Sequence, residues 1–92
     1  MDIQPNQIPQ FRRGYRLQWE AAQDCHVILY PEGMAKLNDS ATAILSEVDG
    51  IKSAGEIIAT LEARFPDAEG LAADVLEFLA QAYEQKWVIF RG

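Results

Sequence analysis

The chain is poor in the residues that most chemistry needs. Among 92 residues it has one cysteine, Cys25, and one histidine, His26. A single thiol forms no internal disulfide, so the expected compartment is a reducing one, the cytoplasm. Neighbouring residues on a strand point to opposite faces, so Cys25 and His26 cannot grip one metal together. Without a second histidine as base, the thiol lacks the usual partner of a nucleophile. No glycine loop for phosphate is present. No apolar run exceeds four residues, as in Val27–Tyr30 and Trp87–Phe90, which speaks against a membrane-spanning helix or a signal-peptide core within these residues. Basic residues are also scarce. The net charge is −6, and from Glu47 to Glu84 nine acidic residues face two basic ones, Lys52 and Arg64. A nucleic-acid surface needs the opposite sign. No cofactor, metal site or catalytic residue is expected, and neither a nucleic acid nor a membrane is expected as partner.

What is present is a pattern of short elements. Apolar residues make up 49% of the chain, enough for one modest core. Residues 1–14 hold Pro5, Pro9 and Gly14 among polar residues and read as a flexible or extended arm, with residues 15–92 as one domain. Arg12, Arg13 and Arg16 form a small basic patch or merely solvate this lead-in. Tyr15 to Glu20 alternates strictly, with Tyr15, Leu17 and Trp19 on one face, as in a half-buried strand. Cys25 to Tyr30 is β-branched and aromatic, as in a central strand. Pro31-Glu32-Gly33 turns the chain into a short third strand, Met34 to Leu37.

Helices follow. Asn38-Asp39-Ser40 offers caps, and Ala41, Ile44, Leu45 and Val48 form a stripe that ends at Gly50. Ser53 to Glu56 is a capping box for a second helix, stopped by Pro66. A third helix runs from about Glu69 to Lys86. Trp87 to Phe90 favours a strand or a packed apolar end. Three strands and then three helices make an α+β layout, a winged-helix-like domain with a three-stranded antiparallel sheet.

The third helix carries two apolar stripes. Leu71, Val75, Phe78 and Ala82 form one; Ala72, Leu76, Leu79 and Tyr83 form the other. Together they span roughly 160°, more than the ~100° that one buried face requires. Either both stripes pack inward or the second lines an open groove. The helix lacks the arginines of a DNA reader. The third strand, short and beyond a Pro-Gly corner, is expected at the sheet edge, where an extended peptide can add as a strand. A short edge also guards against aggregation, so both explanations stand.

The succession Gly14-x-x-Leu17, "YPEGMAKLNDSATAILSEVDG", "EIIATL" and "DVLEFLAQAYEQKWV" resembles the PqqD family, and the resemblance covers residues 9–90. The resemblance implies a peptide chaperone, or precursor-peptide recognition element, of pyrroloquinoline quinone biosynthesis. Such a protein binds the leader of the precursor PqqA and presents it to the radical SAM enzyme PqqE, which crosslinks a glutamate and a tyrosine of the peptide. It also implies that the leader adds to the third strand and packs on the third helix. Carried over, the peptide-binding residues are Met34, Ala35, Lys36 and Leu37. The helix residues Leu76, Leu79, Ala80 and Tyr83 are placed beside them from the stripe geometry, with Val75 and Phe78 in the core. The acidic face of Asp74, Glu77 and Glu84 is a candidate enzyme contact. The family is expected to act as a monomer. The alternatives are a homodimer pairing through the same edge strand as a structural module, a winged-helix transcriptional regulator, and a small enzyme.

Overall fold

Eight elements follow one another in the computed structural model, which describes residues 2–92: β1 (Ile8–Phe11), β2 (Arg16–Glu20), β3 (Cys25–Tyr30), β4 (Gly33–Lys36), α1 (Asp39–Leu45), α2 (Ala54–Arg64), α3 (Leu71–Glu84) and β5 (Val88–Arg91). β2, β3 and β4 form an antiparallel sheet in that order, beside the three helices of the expected α+β fold. Leu17, Ile28 and Ala35 stand in register across it. Val27 and Ile28, on opposite faces of β3, are both fully buried, as a central strand requires. Trp19 departs from the expected half-buried face. It is 52% exposed and meets the opposing His26 edge-on, ring centroids 5.2 Å apart.

The larger correction concerns the first fourteen residues. No loose arm runs from residue 2 to 14, and residue 1 lies outside the described residues. Ile8–Phe11 pairs antiparallel with Val88–Arg91 in a second, two-stranded sheet. The ribbon's inner face carries Pro9, Phe11, Val88 and Phe90, which are buried or packed on the core. Proline is tolerated in such a ribbon because one edge of each strand needs no donor. The two prolines that suggested an arm therefore describe an edge.

The helix signals hold at their starts. The Asn38 side chain accepts a hydrogen bond from the Ala41 amide at 2.8 Å. Ser53 and Glu56 cap α2 reciprocally at 2.8 and 3.2 Å. Boundaries moved by a few residues. α1 ends at Leu45, although Val48 beyond it is still buried. α3 ends in a Schellman turn: the Trp87 amide donates to the Ala82 carbonyl and the Lys86 amide to the Tyr83 carbonyl, both at 2.9 Å. Lys86 takes the left-handed position at φ 69°, and that turn launches β5. Glu47 ties the α1–α2 loop to α2 by pairing with Lys52 at 2.6 Å and Arg64 at 3.3 Å.

Candidate functional site

The free edge of β4 is the first part of the site. In the order β2-β3-β4, nothing pairs with the outer side of β4 among the described residues. Which of its backbone groups point outward follows from one hydrogen bond. The Leu37 amide donates to the His26 carbonyl at 3.0 Å, so Leu37 faces β3. In an antiparallel ladder the facing residues alternate. Given the register Ile28↔Ala35 and Tyr30↔Gly33, Gly33, Ala35 and Leu37 bond inward. Met34 and Lys36 therefore direct their N–H and C=O outward, offering two donors and two acceptors. Their side chains are exposed. Ala35 is half-buried, and Leu37 lies just past the strand in the core, 7% exposed. Leu37 thus anchors the edge from inside.

The four helix residues expected at the site fall in different surroundings. Leu79 is fully buried together with Val75 and Ala82, so it belongs to the core. Leu76 and Ala80 line a pocket with Asp2 and Ile3. Tyr83 packs against Phe90, ring centroids 5.9 Å apart, and shares a pocket with Arg12, Val88 and Ile89. This flank of α3 therefore faces the N-terminal segment and the β1–β5 ribbon. The other flank faces α1. Leu71 and Asp74 line a cleft with Asp39, Ser40, Ala43 and Ile44. α1 itself begins three residues after β4 ends.

One turn on, the same flank carries Phe78, and beyond it Gln81, Ala82 and Gln85. These residues line a groove of about 520 Å³ with Ala80 and Trp87, bordered by Glu77 and Glu84, so Ala80 lines this groove as well as the pocket beside Ile3. Phe78, assigned to the core from sequence, packs on the core with one side and lines this groove with the other. α3 thus carries apolar residues on two flanks, as the stripe geometry expects, and Ala80 lines a cavity on each. Gln81, Gln85 and Trp87 went unnoticed because two are polar and the third lies past the helix. The spacing of Gln81 and Gln85, three and seven residues after Phe78, was the available signal.

Chemically, the arrangement offers backbone donors and acceptors along one edge and an apolar groove with an acidic rim. Among the described residues no three His, Cys, Asp or Glu side chains gather into a metal-binding group. No helix among them is long and apolar enough to cross a membrane. The Asp49 carboxylate, outside the site, accepts amide hydrogen bonds from Lys52 and Ile51, which hold its pKa below the ordinary 3.8.

Comparison with known proteins agrees with this architecture. The family model for coenzyme PQQ synthesis protein D, PqqD, matches residues 25–88. The chain belongs to the PqqD family. A PqqA binding protein of Kluyvera intermedia is 65% identical over 94% of each chain. One from Stutzerimonas stutzeri is 57% identical over 98% of each. Among solved structures, the solution structure of the PqqD truncation of Methylobacterium extorquens PqqCD superposes with a TM-score of 0.73 at 30% identity, covering 89% of this chain and 88% of that one. That protein is described as a functional, stand-alone recognition element for ribosomally synthesized and post-translationally modified peptides. PqqD from Xanthomonas campestris matches with a TM-score of 0.52 at 36% identity, over 80% of this chain and 83% of that one.

Proposed function

We propose that this PqqD-family chain binds the leader of a PqqA-type precursor peptide as an added strand on the outer edge of β4. The leader bonds to the N–H and C=O groups of Met34 and Lys36. Its side chains reach the groove of Phe78, Gln81, Gln85 and Trp87. The observation that carries this reading is the unpaired outer edge of β4. The names of the relatives, PqqA binding proteins, support the choice of ligand.

The chain acts as a cytoplasmic, monomeric, non-catalytic adaptor. It presents the unbound remainder of the peptide to the radical SAM enzyme PqqE, which makes the crosslink. Holding the leader turns a diffusive encounter into a tethered one, with an effective concentration that reaches the millimolar range for a short linker. A ternary complex therefore needs an enzyme contact apart from the peptide groove.

The test is a calorimetric titration with synthetic PqqA, paired with amide chemical-shift mapping. Saturable 1:1 binding with the Met34 and Lys36 amides shifting downfield is expected. Binding that leaves both amides unmoved would exclude strand addition at β4. Light scattering across a concentration series separates the monomer from an edge-paired homodimer, which would use the same groups.

A further inference from the structure

The segment Asp2–Gln7 carries one buried residue. Asp2, Gln4, Pro5 and Asn6 are exposed, yet Ile3 is only 7% exposed and joins the main core cluster. It sits against α3, lining one pocket with Leu76, Glu77 and Ala80, of which Glu77 and Ala80 also border the Phe78–Trp87 groove. The backbone behind it is pinned to the first turn of α2. The Gly55 amide donates to the Pro5 carbonyl and the Ala54 amide to the Gln7 carbonyl, both at 2.8 Å. Those two amides are among the four that a helix start leaves without intrahelical partners. The segment also closes on itself, with the Gln4 amide on the Gln7 side chain at 2.8 Å and the Gln7 amide on the Gln4 carbonyl at 3.0 Å. Residue 55 is glycine for a steric reason: a Cβ there would stand 3.2 Å from the Pro5 oxygen and 3.4 Å from the Pro5 Cβ.

We infer that Ile3 is a specificity-determining residue, a built-in cover over Leu76 that leaves an extended peptide only the groove of Phe78 and Trp87. The inference rests on the peptide-binding function proposed above. A bare leucine-alanine flank beside an apolar core accepts the side chains of many extended peptides, because apolar burial carries little directional information. The open groove is different. There an edge strand fixes the register of the peptide before any side chain is judged. Filling the unregistered flank with the chain's own isoleucine removes the indiscriminate half of the apolar arc. The anchor is independent of the cover, since it consists of backbone bonds to Ala54 and Gly55.

Two full-length variants test this. Ile3→Asp withdraws the cover, and Gly55→Ala pushes the segment off its anchor while improving the helix propensity of that position. Each is titrated with the precursor peptide, with a scrambled peptide of the same composition, and with anilinonaphthalene sulfonate as a probe of bare apolar surface, after melting curves show a cooperative fold. Expected are stronger dye binding in both variants and faster exchange of the Ala54 and Gly55 amides in Gly55→Ala. Affinity for the scrambled peptide should rise about tenfold, with affinity for the true peptide within about threefold of the parent. Folded variants with unchanged dye binding and unchanged selectivity overturn the inference. So does a large loss of affinity for the true peptide, which would make the flank part of its site. If the parent chain binds no precursor peptide, the function proposed above fails, while the dye and exchange measurements still decide whether Ile3 is a cover.

Discussion

Two prolines one residue apart should have opposite effects. The ladder alternation leaves the Met34 amide pointing away from β3 and the Ala35 amide pointing into it. Met34→Pro deletes a donor that the fold does not use, at an edge position where proline is tolerated. Its melting temperature should stay within a few degrees of Met34→Ala, the control for the lost side chain. Ala35→Pro deletes a ladder donor and orphans an acceptor on the buried Ile28. That costs roughly 1–3 kcal/mol, or about 5–20 °C in a domain of this size. Peptide binding should reverse the order of injury. Met34→Pro removes one of the four outward groups, worth about 0.5–1.5 kcal/mol net, so its dissociation constant should rise about threefold to tenfold over that of Met34→Ala. Calorimetric titration and thermal melts on the three variants give the comparison. If Met34→Pro bound the peptide as well as Met34→Ala, the added-strand geometry would be refuted, however tightly the parent chain bound.

Leu79→Ala and Phe78→Ala should separate core from groove. Leu79 is fully buried, so its truncation should cost about 2–5 kcal/mol of stability, with binding intact in the folded fraction. Phe78 is half-buried and should cost roughly 1–3 kcal/mol but lower peptide affinity at least fivefold; paired melting and titration read both. The Asp49 turn should respond to acid. Its folded pKa lies below the unfolded 3.8, so its contribution is complete above pH 3.8 and fades as pH falls through the lower folded value. The Ile51 and Lys52 amide shifts should titrate together with a midpoint below 3.8, and a midpoint at or above it would contradict the hydrogen bonds that cause the shift.

The elements visible in the sequence were those whose signal is local. The Asn38 cap and the Ser53–Glu56 box depend on atoms within three or four residues, and both fall where the spacing places them. The alternation of β2 and the apolar run of β3 likewise state their own period. The family motifs identified the lineage by the same local means. What was hidden depends on partners far away in the chain. Ile8–Phe11 is a strand only because Val88–Arg91 lies beside it, about eighty residues later. Four residues with a proline carry no period by which to announce that pairing. Trp19 alternates correctly yet stays exposed, its ring meeting the edge of His26 across the strand pair.

The rotation of α3 shows the same limit at the site itself. A helical wheel reports which residues share a flank and not what that flank meets. Leu76, Ala80 and Tyr83 are as apolar as Leu71, Phe78 and Ala82, and nothing within α3 ranks one stripe above the other. The decision is made by two distant segments, the N-terminal residues that reach Leu76 through Ile3 and the start of α1 that lies against Leu71 and Asp74. The chain sets its own Ile3 against Leu76 and leaves the groove of Phe78 and Trp87 open. A binding site of this kind is defined as much by what the chain covers as by what it exposes.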